Sequence, residues 1–325
     1  MILRKIGLSI CQKIQGILCE MKNDMKNWFV KVLLLIVVFT AYPQIVVSQD
    51  IALKDSMTYV IEKRLQQTVF YKKDQLEVEE ENIMKLADAL PAFSVYKDTY
   101  FTTGIPLNKE VDRNTADAMF QISIRQRLTK SRLPFNTFLY FTYTQKSFWN
   151  IYADSAPFRD NNYNPSIGLG KYIIHNNILK GGAFLQVEHE SNGRDSEESR
   201  SWNLISLSSK YYYNFQLAFG FKVWIPLVDG EENKDLVDYR GIGTWSVSYL
   251  TKNKKWWFEA EVNPRKGFGN ANTIATASFK VSKSANQYLY ARFYNGKGDS
   301  LLDYDKYDMN IRLGFCIKPQ FENIF

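Results

Sequence analysis

The stretch Tyr307-Asp308-Met309-Asn310-Ile311-Arg312-Leu313-Gly314-Phe315 alternates without a break. In an extended chain Tyr307, Met309, Ile311, Leu313 and Phe315 share one face, while Asp308, Asn310, Arg312 and Gly314 share the other. The first face suits lipid and the second a polar interior. A soluble β-sandwich also alternates, but its apolar faces converge on a core, whereas aromatic residues at both ends of many such segments suit a closed membrane barrel.

Working backward from this run, twelve segments rich in aromatic and β-branched residues are separated by turn signals such as Asn176-Asn177, Gly181-Gly182, Lys252-Asn253 and Gly296-Lys297-Gly298. They lie near 93–104, 117–129, 136–147, 163–175, 181–191, 202–212, 214–226, 238–250, 255–264, 272–283, 286–296 and 305–317. Each takes about 19 residues with its connection, as expected for tilted membrane strands of about 9–11 residues plus turns and loops. The fold class expected is therefore all-β, a 12-stranded antiparallel transmembrane β-barrel over 93–325 with an N-terminal periplasmic extension. No internal sequence repeat is evident.

Composition agrees with this reading. The 325 residues are 45% hydrophobic, 15% aromatic and 23% charged, which excludes a disordered tail, a collagen-like fibre and a disulfide scaffold. A mean hydropathy of −0.31 shows that the aromatic content does not come in long apolar runs. The longest such run, Val32 to Tyr42, is about half of what a spanning helix needs. It follows Lys22, Lys26 and Lys31 and ends in Val46-Val47-Ser48-Gln49, the build of a secretory signal peptide, so residues 1–48 are excluded from the fold; the true start is expected at Met21 or Met25, since Met1 to Glu20 is longer and less apolar than a signal needs. Cys11 and Cys19 leave with the signal, and Cys316 alone can form no intramolecular disulfide. The formal +7 falls to +3 once the six basic and two acidic residues of 1–48 are removed, too weak and scattered a charge for a nucleic-acid partner. Residues 49–92, with Glu77, Glu79, Glu80 and Glu81, read as a charged extension with helical character.

The chain has two histidines. Two histidines and one cysteine cannot make a structural zinc site without carboxylates. His175, beside Asn176-Asn177, is expected at a solvated turn. His189 is different. In an extended strand His189 and Ser191 project from the same face as Val187, Leu185 and Ala183, while Glu190, Glu188 and Gln186 face the other way. On the next segment Asn203 shares the outward parity of Ile205 and Leu207. If the loop from Asn192 to Ser201 joins antiparallel neighbours, the Asn203 amide comes within reach of the His189 imidazole.

Polar groups facing lipid are costly unless partnered, and these three have the chemistry of a nucleophile, a base and an orienting group. Ser191 would attack an ester carbonyl, His189 would move its proton, and Asn203 would hold the imidazole tautomer. The structural alternative is a polar cluster at the aromatic girdle, bonded to loop backbone. There is no Gly-x-Ser-x-Gly elbow, P-loop or paired-histidine zinc helix. The acids at Asp299 and from Asp303 to Asp308 lack EF-hand spacing and are expected in a solvated loop.

The stretches Tyr143 to Ser147, Ser155 to Arg159, Asn162-Tyr163, His189 to Asn203 and Gly298 to Tyr304 make the chain resemble the outer membrane phospholipase A family of bacteria. The most specific element is His-x-Ser-Asn-Gly-Arg followed by Ser-Arg-Ser-Trp-Asn. The resemblance spans about Phe93 to Phe325 and covers 49–90 poorly. It implies a twelve-stranded barrel in the outer membrane with His189, Ser191 and Asn203 on its lipid-facing surface, an oxyanion held by the Gly193 amide, and calcium as cofactor. It also implies that the Arg194 carbonyl and the Ser199 hydroxyl are calcium ligands, with Ser155 contributed by the partner in an active homodimer.

Ala156, where the family commonly has a second serine, and the short stretch between Gln145 and Ser155 depart from the pattern at the intersubunit site. Gln145 stands outward with Tyr143 and Phe141, either as a dimer-interface amide or as an ordinary girdle residue. The function expected is calcium-dependent hydrolysis of phospholipid acyl esters at both glycerol positions, activated by dimerisation. The alternative is a non-enzymatic pore or scaffold on the same fold.

Overall fold

The computed structural model describes residues 91–129, 131–176, 178–227, 231–281 and 286–318. The signal segment and most of the extension lie outside these residues. Within them the strands are β1 (Phe93–Val95), β2 (Thr99–Pro106), β3 (Asp117–Arg127), β4 (Thr137–Trp149), β5 (Phe158–His175), β6 (Ile178–Ser191) and β7 (Ser201–Tyr212). They continue as β8 (Leu217–Leu227), β9 (Gly243–Leu250), β10 (Trp256–Pro264), β11 (Ala271–Lys280), β12 (Gln287–Lys297) and β13 (Tyr307–Ile317).

Each strand from β2 onward pairs antiparallel with the next, and β13 pairs with β2, so the sheet closes on itself. The short β1 pairs with β3 on the side that β2 occupies. It is the lower part of the first barrel strand, broken at residues 96–98. The barrel is therefore twelve-stranded, as its periodicity predicts, and closure removes the exposed edges that an open sheet would present.

The expected faces are present. On β13, Ile311 and Leu313 are exposed on the outside, whereas Asn310 and Arg312 are each only 2% exposed inside. Phe219, Phe221, Trp245, Val247 and Phe258 continue the apolar exterior on β8, β9 and β10. The connections 107–116, 192–200, 231–242 and 298–306 lie at one end of the barrel, and the short 213–216 at the other. Longer external loops and short periplasmic turns are the pattern of outer-membrane barrels.

Two boundaries differ from the periodicity by five residues. Strand β5 begins at Phe158, because Asn161 and Asn162 pair with β4 despite their polarity. Strand β9 begins only at Gly243, because Leu236–Arg240 form a short helix, α1.

The connection 298–306 is only partly the solvated loop that its acids suggest: Asp305 and Lys306 are exposed, but its first half turns inward. Leu301 is fully buried, Asp299 and Ser300 nearly so, and the loop crosses the mouth of the barrel. Its Leu301 and Leu302 amides donate to the Asn162 and Asp160 side chains of β5 at 3.1 and 3.0 Å. Leu301 and Tyr304 pack with Leu236 of α1 and with Trp202 and Leu204 of β7. Asp299 is gripped by Arg292 through two hydrogen bonds of 3.0 and 2.9 Å and by Lys146 of β4 at 3.2 Å. Burial alone would raise the Asp299 carboxyl, but Arg292, Lys146 and Arg312 reverse this and hold it well below the usual carboxylate range. A carboxylate so surrounded is satisfied inside the barrel, and water is not needed to keep it charged.

Candidate active site

His189 and Asn203 are direct register partners on β6 and β7, and so are Ser191 and Ser201. The alternation of exposed and buried residues puts His189 and Ser191 outside with Leu185 and Val187, and Asn203 outside with Ile205 and Leu207. The His189 Nδ1 and the Asn203 Oδ1 are 2.9 Å apart. The amide oxygen can only accept, so this bond selects the tautomer with the proton on Nδ1 and leaves Nε2 as the basic nitrogen.

The backbone under the histidine is adjusted locally. Pro165 on β5 has no N–H to give, and the ladder between β5 and β6 passes from Tyr163–Ser191 to Ser166–Glu188. The Asn164 side-chain amide donates instead to the His189 carbonyl at 3.0 Å. An acceptor that the missing N–H would otherwise leave open is thereby satisfied.

Beyond Ser191 the chain turns into the loop 192–200. The Asn192 amide ties this loop shut: its Nδ2 donates to the Glu198 carbonyl at 2.8 Å, and its Oδ1 accepts from the backbone amides of Arg194 and Arg200 at 3.3 and 2.9 Å. Gly193 follows with φ of +68°, and a Cβ there would meet the Tyr163 ring at 3.0 Å. Both the left-handed backbone and the close ring require glycine at this position. Arg194 reaches the Arg159 carbonyl and Glu198 with its guanidinium. Arg194 and Ser199 therefore share one constrained loop.

Ser155 is exposed in the turn between β4 and β5, at the same end of the barrel, with φ of +62°. The adjacent Ala156 carbonyl accepts from the Trp149 indole at 2.8 Å. Gln145 is bonded within its own strand, accepting from Tyr143 at 3.0 Å and donating to Ser147 at 3.2 Å. His175 is exposed at the far end of β5.

Asn192 and Tyr163 stand in stretches that carry the family resemblance, but the sequence assigns neither a role. Asn192 carries a signal in hindsight, a short amide between the last strand residue and a glycine, where side-chain bonds to nearby backbone are favoured. For Tyr163 the local pattern gives no hint of the role, because its contact with Gly193 depends on strand pairing.

A closed barrel with an apolar outer band, bearing a serine, a histidine and an amide on that band, defines a membrane-embedded protein of the hydrolase type. A phospholipase A1 family model matches residues 82–317, and the chain belongs to that family of bacterial outer-membrane barrel enzymes. It is 30% identical to the phospholipase A1 of Proteus vulgaris over 213 residues, 64% of this chain and 72% of that protein. It is 28% identical to that of Klebsiella pneumoniae over 242 residues, 70% and 82% of the two chains. Among solved structures, the Escherichia coli outer membrane phospholipase A superposes with a TM-score of 0.62 at 23% identity, covering 70% of this chain and 99% of that one. The Salmonella typhi outer membrane phospholipase, solved as a dimer with bound calcium, gives the same TM-score and identity and covers 72% and 95%.

Proposed function

We propose that this protein hydrolyses the acyl ester bonds of phospholipids at both glycerol positions, with Ser191, His189 and Asn203 as its triad. The observation that carries this reading is the 2.9 Å bond between His189 Nδ1 and Asn203 Oδ1 on a face otherwise built for lipid. The Ser191 hydroxyl attacks the ester carbonyl and its proton passes to His189 Nε2. The Gly193 amide donates to the oxyanion, and the imidazolium returns the proton to the departing lysophospholipid. Water then cleaves the acyl-serine with His189 acting again as base.

The residues are compatible with calcium. Arg194 and Ser199 offer a carbonyl and a hydroxyl, the hard oxygen donors that this ion takes, from a loop that Asn192 holds closed. Calcium would supply positive charge beside the oxyanion. Ser155, exposed on the same rim, is placed to serve a second barrel, and the calcium-bound dimer of the Salmonella relative supports that arrangement. In the same reading residues 1–48 are a removed signal, 49–92 an extension and 93–325 the catalytic barrel.

The division of roles is testable with fatty acid release from purified, folded protein. His189→Ala should lower kcat by at least about 10⁴-fold, and Asn203→Ala, which removes only the orienting group, by clearly less. Equal and complete inactivation by both, with folding intact, would count against an orienting role for Asn203.

The pore alternative meets an obstacle in the mouth, where the loop 298–306 and α1 fill the lumen above a polar cavity of 460 Å³. Purified wild-type protein in a planar bilayer should therefore show no steady conductance. Sustained open-channel currents would favour the pore.

A further inference from the structure

The lipid-facing side of the sheet offers few polar groups to fix a triad, so the luminal face of the same two strands bears on its geometry. Between His189 and Ser191 stands Glu190, facing inward, and its register partner is Trp202, the neighbour of Asn203. The Trp202 indole donates to one Glu190 oxygen at 2.8 Å, and the Arg240 guanidinium donates to the other at 3.0 Å. This bond between Glu190 and Trp202 crosses the same two strands that carry the His189–Asn203 pair on the opposite face.

Arg240 is itself held on several sides. It ends α1, whose Leu236 is buried against Trp202. Its carbonyl accepts from Asn263 at 2.8 Å. Gly298, with φ of +79°, packs so closely that a Cβ there would lie 3.2 Å from Arg240 Cδ. The same external connection grips the catalytic strands a second time, because Asn233 accepts from the Ser201 amide at 3.3 Å and donates to the Ser201 carbonyl at 2.9 Å. Ser201 is the register partner of Ser191.

We propose that Glu190, Trp202 and Arg240 form a luminal clamp that positions the triad through the sheet, with the mouth-filling loops as its rigid anchor. These are positioning residues and touch no substrate. The proposal rests on the assignment of Ser191 as nucleophile. Without the clamp the peptide planes from 189 to 191 can rotate, and a misplacement of about 1 Å costs on the order of a hundredfold in rate.

The test separates positioning from folding. Glu190→Ala strands the Arg240 charge in the barrel and is expected to lower both thermal stability and kcat, the latter by about a hundredfold, with KM little changed. The double variant Glu190→Leu with Arg240→Met replaces the ion pair by apolar groups of similar volume and should restore stability. Its kcat should stay low. Labelling of Ser191 by an alkyl fluorophosphonate, which the serine oxygen attacks with loss of fluoride, should slow in parallel in both variants. Recovery of wild-type kcat and labelling rate together with stability in the double variant would overturn the clamp. Failure of the wild-type protein to be labelled at Ser191 would instead remove the nucleophile assignment on which the clamp rests.

Discussion

Ser191→Ala is expected to abolish release of fatty acid from phospholipid micelles, lowering kcat by at least about 10⁴-fold while the barrel folds as before. Without the hydroxyl no acyl-enzyme can form, and the Gly193 amide and His189 are left without a reaction to assist. Folding is spared because the side chain points to the lipid side and the Ser191–Ser201 and Ser191–Tyr163 pairings are backbone ladders. Exchange of a lipid-side hydroxyl for a methyl removes a polar group from an apolar environment, which costs nothing and can help. The measurement is a fatty acid assay beside the heat-dependent shift in gel mobility that reports a folded barrel. Unchanged turnover would exclude Ser191 as the nucleophile.

Removal of calcium should have the next largest effect, a fall in kcat of about 10²–10³-fold, the usual consequence of losing one stabiliser of an oxyanion. The loss should be coupled to association. In the proposed arrangement, ligands from Arg194 and Ser199 on one barrel and Ser155 on another would meet only when two barrels do, so the metal and the dimer would stabilise each other to the same degree. Calcium should therefore shift detergent-solubilised protein toward dimers in sedimentation. Ser155→Ala should weaken both that shift and the activity, and should raise the calcium concentration needed for half-maximal rate. The exposed position of Ser155 in its turn means that its loss leaves the monomer's fold intact. Because residue 156 is Ala, Ser155 would be the hydroxyl of this turn on which the proposed intersubunit contact depends. Full activity in a demonstrably monomeric, calcium-free sample would sink this mechanism.

What could be read from the sequence was local. A strand side chain alternates with period two, so Tyr307 to Phe315 sufficed to define an inside and an outside, and the same parity put His189, Ser191 and Asn203 on the lipid face. The register that brings His189 to Asn203 was legible because nine residues join the two strands and antiparallel neighbours through a short loop have few alternatives. What the tertiary structure alone decided was the filling of the barrel. Lys146 and Asp299 are 153 residues apart, and Glu190 and Arg240 are 50 apart. Neither pairing leaves a periodic trace. An acid-rich stretch such as 299–308 reads as solvated because charge is normally kept in water. Asp305 and Lys306 are exposed as that reading expects, but Asp299 is buried, because Arg292, Lys146 and Arg312 converge on it from three strands and only closure of the barrel brings those strands around one point.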